Sequence, residues 1–224
     1  TGTALFDSVL TGGLRREFEV ESEDKNDIMF CRQRMKWTNK GQAVAHITVN
    51  QELKVEELTE VELPADYKHL KNPELVFVAG TDLHSAYRSL LGKINWLQNR
   101  TRYDAAYDFS RCASAAASPS VADINALNAL CRRIRNEDVR LRFWPLTKKS
   151  NENWRLVGYP DASYCNNPDK SSQRGLCIFL CAPRQQGVAD AYGSLVEYES
   201  HKIKKTCQST TVAELYAFMK CFGT

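Results

Sequence analysis

The sequence predicts a mixed α/β chain in two parts, and three observations carry that expectation. Runs of β-forming residues alternate with segments whose apolar residues recur at helical spacing. From residue 154 onward the pattern becomes strand, strand, strand, helix, a meander closed by a helix. Between the parts, residues 145–153 are polar, charged and without periodicity, the best domain boundary in the chain. Residues 1–145 and 150–224 are therefore read as separate units.

Each element has its own local reason. Leu5, Phe6, Val9, Leu10, Leu14 and Phe18 lie at helical spacing, so residues 1–20 read as a helix weakened by Gly12-Gly13. Residues 28–37 and 43–50 read as two strands joined through Thr38-Asn-Lys-Gly41, a β-hairpin. A short helix begins at Gln51, and residues 64–73 form a polar connector with two prolines. Thr81 or Asp82 caps a helix whose face carries Leu83, Tyr87, Leu90, Leu91, Ile94 and Leu97. A second helical stretch runs from Ala105 to Ala117 and stops before Pro119. Ser120-Val-Ala-Asp123 has the form of a capping box, opening a third helix with Ile124, Leu127, Cys131 and Ile134 in register. Leu141-Arg-Phe-Trp144 is a short strand. Beyond the boundary, residues 154–164, 175–182 and 193–201 are strands, and the run after Ser209 is a helix.

Composition narrows the class. The chain of 224 residues is long enough for one large or two small cores. Its 43% hydrophobic and 25% charged residues are ordinary for a globular protein. No apolar run approaches the roughly 20 residues that span a bilayer, and the start lacks the layout of a signal peptide. No membrane partner is expected. Eight cysteines and four histidines are scattered, with no Cys-x-x-Cys pair to found a zinc site. Free, mostly buried thiols fit a reducing, intracellular compartment, cytoplasmic or nuclear. A net charge of +3 does not by itself announce a nucleic-acid binder.

The placement of charge says more. Asp161 ends a strand within Gly158-Tyr-Pro-Asp-Ala-Ser, and Glu214 lies in the apolar helix after Ser209. A strand carboxylate meeting a helix carboxylate across a meander is half of a two-metal phosphodiester site. Such a site needs several carboxylates to hold two divalent cations, and Mg²⁺ or Mn²⁺ prefers oxygen ligands. Asp beside Pro160 is also ordinary turn chemistry, and a helix Glu is ordinarily solvated. On the apolar face formed with Ala213, Tyr216, Ala217 and Met219, however, an unpaired Glu214 would be costly. Arg132, Arg133 and Arg135 end the third helix, either to contact phosphates or to offset the helix dipole. Lys202, Lys204 and Lys205 close a strand, as phosphate contacts or as protection of a sheet edge. The four tryptophans lie far apart and read as core.

Gly158-Tyr159-Pro160-Asp161-Ala162, Ser200-His201-Lys202 and Ser209-Thr-Thr-Val-Ala-Glu214 together resemble the ribonuclease H region of copia-type retrotransposon polyproteins. That region carries Gly-Tyr-x-Asp-Ala-Asp, Ser-x-Lys-Gln and Ser-x-x-Glu-Ala-Glu-Tyr. Upstream, Tyr87-Arg-Ser-Leu-Leu-Gly92, Trp96-Leu97 and Arg102-Tyr-Asp104 are similar to the thumb and connection segment of the same family's reverse transcriptase. The Phe30-to-Gln51 stretch resembles the hairpin that follows the polymerase aspartates. The resemblance covers almost the whole chain in order. It departs at Tyr103, Ser163, Val212 and Leu215.

This likeness implies an α+β palm remnant and helical thumb or connection over 1–145. Residues 150–224 would then be the N-terminal half of a ribonuclease H-like α/β domain. The implied parent copies RNA into DNA and hydrolyses RNA in the hybrid. Asp161 and Glu214 would be catalytic metal ligands, and Arg132, Arg133, Arg135, Lys202 and Lys204 would bind nucleic acid. The expected partners are an RNA–DNA hybrid or primer-template and the remainder of the Pol polyprotein. The Tyr-x-Asp-Asp motif is absent, and further ribonuclease H carboxylates would lie past Thr224. The chain is thus expected to be a fragment, inactive alone but able to bind nucleic acid. The competing expectations are a non-catalytic interaction remnant of a decayed element and a host-derived nuclease of the same fold.

Overall fold

The computed structural model describes residues 26–38, 45–144, 154–181 and 193–223. The helix expected over 1–20, the boundary over 145–153 and Lys148-Lys149 lie outside these residues. Among the described residues there are two antiparallel sheets and six α-helices.

The first sheet begins with β1 (Asp27–Phe30), β2 (Gln33–Thr38) and β3 (His46–Asn50). The single strand expected over 28–37 is in fact two strands folded on each other. Cys31 and Arg32 both take positive φ, 50° and 61°, and reverse the chain, pairing Phe30 with Gln33. A two-residue turn with both central residues left-handed matches the twist of paired strands, but it normally recruits Asn or Gly. Neither residue advertises it. Arg34 then holds the hairpin through two hydrogen bonds to Asp27, at 2.8 and 2.7 Å.

Three long helices supply the main core. They are α3 (Asp82–Gln98), α4 (Ala106–Ser114) and α5 (Val121–Asn136), preceded by the short α1 (Glu52–Glu56) and α2 (Ala65–Lys68). Tyr87, Ile94, Leu97, Val121, Ile124, Leu127, Cys131 and Ile134 are fully buried, as helical spacing predicts for one stripe per helix. The capping box at α5 is formed: Ser120 Oγ accepts from Asp123 N, and Asp123 accepts from Ser120 N. Thr81 precedes α3, yet its hydroxyl donates to Val78 O rather than capping the helix. The polar connector after α1 holds α2, and a 3₁₀ turn at Pro73–Leu75 follows. The chain before them is tied down by Asn128 of α5. Its amide accepts from Val61 N at 2.8 Å and donates to Val61 O at 2.9 Å, pairing a buried peptide that belongs to no sheet.

After α5, β4 (Leu141–Phe143) returns to pair with β3, completing the order β1-β2-β3-β4. The second sheet follows: β5 (Arg155–Ser163), β6 (Gln173–Cys181) and β7 (Gly193–Lys202) in sequential order. Its register is unbroken between β5 and β6, with Asp161 opposite Gly175. The sheets share one apolar cluster built on Val49, Leu141 and Leu195, with Phe179 and Tyr198 packed against it. Polar ties cross the same junction. Trp144 N donates to Ser194 Oγ at 2.9 Å, Gln173 Nε2 to Ser110 Oγ at 3.1 Å, and Tyr198 OH to Gln98 O at 2.5 Å.

The opposite face of the second sheet carries α6 (Thr210–Phe222), N-capped by Ser209 and ended by Gly223 in the left-handed region at φ 77°. Ala213 and Ala217, one turn apart, are fully buried against the sheet. Gly158 lets the helix come this close, because a Cβ built there would collide with Cys221 Sγ. The outer face of α6 shows Leu215, Phe218 and Phe222 to solvent. Tryptophans are less buried than expected. Trp37 and Trp96 are exposed, Trp96 beneath the Arg100 guanidinium, while Trp144 lies against His46. Among the eight free thiols, Cys112, Cys131 and Cys207 are buried and Cys31 is exposed.

Gly158→Ala should therefore lower unfolding stability by about 1 kcal/mol or more, the usual cost of an inserted methyl. In a Cys221→Ala background, with the sulfur gone, the same substitution should cost little. Urea unfolding of the four proteins in a double-mutant cycle measures the difference.

Candidate functional site

Side chains alternate across a strand, so the face each residue of β5 occupies follows from two fixed points. Gly158 meets Cys221 and Phe222 of α6, and Ala162 packs in the cluster of Ile203, Cys207 and Ala213 under the same helix. Both are even-numbered. Asp161, one position from Ala162 in an unbroken register, is directed to the other face and is exposed. Glu214 rides on α6 and is half-buried. The two carboxylates expected to converge are thus held on opposite sides of one sheet. Among the described residues, no three His, Cys, Asp or Glu side chains gather as a metal-binding group. Oxygen donors are the right chemistry for Mg²⁺ or Mn²⁺, and strand parity directs Asp161 away from the face on which α6 carries Glu214.

The apolar surroundings that made Glu214 conspicuous are also different in space. Leu215, Phe218 and Phe222 face solvent, so the helix is not immersed in a core.

The arginine group at the end of α5 is split by its neighbours. Arg132 pairs with Glu60. Arg133 pairs with Asp108 at 2.9 Å and donates to Asp104 O at 3.1 Å. Arg135 is exposed beside a smaller cleft with Glu56 and Glu137. Two of the three cations already have protein acceptors, a role closer to fastening helix ends than to holding phosphates.

The lysines after β7 come together instead. A cleft of about 860 Å³ opens at the β7 edge, between α4 on one side and α6 on the other. Lys202, Lys204, Lys205, Lys220 and Arg174 line it, with Glu199 as the one acid in its wall. Arg174 Nε donates to Glu199 at 3.1 Å, and His201 stands 3.9 Å from the same carboxylate. Lys205 Nζ sits 5.5 Å from the Tyr216 ring centre, a cation over an aromatic face. Lys202 pairs with Asp169 in the β5–β6 loop. That lysine, together with the Ser171 hydroxyl and backbone, holds the Asp169 carboxyl well below the usual carboxylate range. Ala113, Ile203, Tyr216 and Met219 add apolar surface to the lining. Lys202 and Lys204 were legible as candidates. Arg174 and Lys220 were not, since they stand on two separate elements, β6 and α6, that only the packing of the sheet and helix brings to the β7 edge.

No protein-family model matches the chain, and neither does any curated protein.

Two outcomes follow from this geometry. Titration calorimetry with Mn²⁺ should give the same weak binding for the wild-type chain, Asp161→Asn and Glu214→Gln, because neither carboxylate completes a site with the other. Asp169→Asn should release Lys202 toward the cleft and tighten polyanion binding a few-fold. With the carboxyl depressed, the pairing it contributes is complete above the unfolded value near 3.9 and is lost only as pH falls through the lower folded value. The wild-type and Asp169→Asn affinities for heparin should therefore keep their difference down to about pH 4.

Proposed function

We propose that this chain is the nucleic-acid-gripping part of a retrotransposon-type reverse transcriptase and ribonuclease H, and that it performs no phosphodiester chemistry by itself. The observation that carries the proposal is the cleft in which five Lys and Arg side chains meet one Glu. Such an excess of cations over a concave, partly apolar surface attracts phosphates through counter-ion release and keeps them by proximity. The motif order along the chain supports the same reading. The β1–β4 sheet would be the end of a palm, α3 to α5 the thumb or connection, and β5 to β7 with α6 the first half of a ribonuclease H-like fold.

On this proposal the partners are an RNA–DNA hybrid or primer-template and the remainder of a Pol polyprotein. Lys202 and Lys204 contact the phosphates. Mg²⁺ or Mn²⁺ chemistry would belong to the parent, with Asp161 and Glu214 as ligands only in an arrangement that brings them to one face. The separation of these carboxylates favours a second reading, a binding remnant without chemistry. The two differ in whether hybrid is cleaved when the rest of the polyprotein is supplied.

Fluorescence anisotropy on a labelled hybrid at several salt concentrations tests the proposal. Affinity should fall steeply with salt, by a slope of about 0.9 for each phosphate neutralised. Lys204→Glu with Lys220→Glu should weaken binding at least tenfold and flatten the slope. Arg132→Ala with Arg133→Ala should leave both nearly unchanged. Loss of binding through the arginines but not the lysines would move the interface to α5.

A further inference from the structure

The cleft combines features that serve different parts of a nucleotide. Cations line it, and so do the apolar side chains of Ile203, Tyr216 and Met219. A reader of duplex phosphates gains little from such apolar surface, because in a duplex the base faces are stacked inside and only the backbone and the groove edges meet the protein. Unpaired bases, by contrast, seek aromatic and apolar surface, and base–aromatic contacts are sequence-tolerant. Size points the same way. At about 860 Å³ the cleft lies in the range of pockets that take small molecules, a scale that suits unpaired nucleotides. A single strand can thread it.

The wall on the α4 side extends this track. Ser110 and Ser114 line the cleft, and Tyr107, Arg111 and Ser114 share one stripe of α4 at helical spacing. Tyr107 and Arg111 are exposed, an aromatic ring and a cation on the same stripe as the cleft-lining Ser114. Tyr216 is anchored on one side by packing with Ile203 and Cys207 and faces the Lys205 ammonium. The ring is thus fixed in place rather than recruited on binding, which lowers the ordering cost.

We infer that the cleft takes a single-stranded stretch of nucleic acid, with sugars and bases against Tyr216 and Met219 and phosphates along Lys202, Lys204 and Lys220. This inference rests on the nucleic-acid reading of the cleft and specifies its ligand as unpaired. It gives the cleft a part to play on a template or displaced strand, in preference to the paired hybrid.

The test uses the 224-residue chain and three labelled probes of equal length: a dT oligomer, a U oligomer and an RNA–DNA hybrid, with heparin as an uncharacteristic polyanion. The two single strands should bind at least tenfold more tightly than the hybrid at the same salt. Tyr216→Leu keeps an apolar side chain beneath Ile203 and removes the stacking face. It should cost about fivefold or more on single strands and leave heparin unaffected, while Tyr216→Phe keeps wild-type affinity. Thermal melts show whether Tyr216→Leu is folded; should it unfold, Tyr107→Ala replaces it, with the same selective loss expected. A hybrid that binds as tightly as the single strands overturns the inference but leaves the cleft as a nucleic-acid site. Equal loss on heparin and single strands also overturns it, since charge alone would then explain binding. Failure of every probe to bind overturns both the inference and the reading beneath it.

Discussion

The arrangement depends on one buried arginine. Arg102 is almost inaccessible, and its guanidinium makes three hydrogen bonds to two partners. It makes two hydrogen bonds to the Asp104 carboxylate, at 2.8 and 2.7 Å, and donates to Ile134 O at 2.5 Å. The first pair locks the 3₁₀ turn at Tyr103–Ala105 that reverses the chain from α3 into α4. The third bond occupies a carbonyl in the last turn of α5, one of those a helix end leaves without a partner. A buried ion pair of this kind adds little net stability over an apolar replacement, but losing one member strands the other, at a cost of about 3–5 kcal/mol. Its contribution is to geometry. Three helices are set at one corner by one side chain.

Everything the second sheet needs from the helices is presented at that corner. Gln98, the last residue of α3, accepts the Tyr198 hydroxyl from β7, and the neighbouring Tyr103 ring meets the Tyr198 ring edge-on at 5.9 Å. Burial, with Asp104 nearby, pushes the Tyr198 phenol up to about 12, so it remains a donor at any ordinary pH. From there β7 runs along α4, where Gln173 reaches Ser110. The cleft exists because this docking leaves a gap at the β7 edge between α4 and α6. A sheet edge offers unpaired backbone and invites association, and lysines are the usual protection. Here the same lysines line the cleft, so edge protection and anion attraction are two consequences of one placement.

The carboxylates show how little spacing along a chain says about convergence. Asp161 sits in a strand and Glu214 in the helix that packs on that strand, the pattern expected of a shared site. One residue of strand parity decides otherwise, since Gly158 and Ala162 take the face under α6 and leave Asp161 the other. The close approach of Cys221 to Gly158 is therefore a constraint on the site as well as on packing.

Local chemistry was legible wherever a residue acts on its own neighbours. The stripes of α3 and α5, the capping box at Ser120, the helix after Ser209 and the strand-strand-strand-helix order all follow from periods of 3.6 and 2 and from capping oxygens. The Cys31–Arg32 reversal was not, because neither residue type favours positive φ and the surrounding hairpin imposes it. The sequence also determined that Lys202 and Lys204 would stand together near a strand end. Only tertiary structure decided that Arg174 and Lys220 join them, that Arg132 and Arg133 are already paired, and that Asp161 and Glu214 face apart. Those outcomes depend on register, strand parity and partners up to seventy residues away, which no local pattern records.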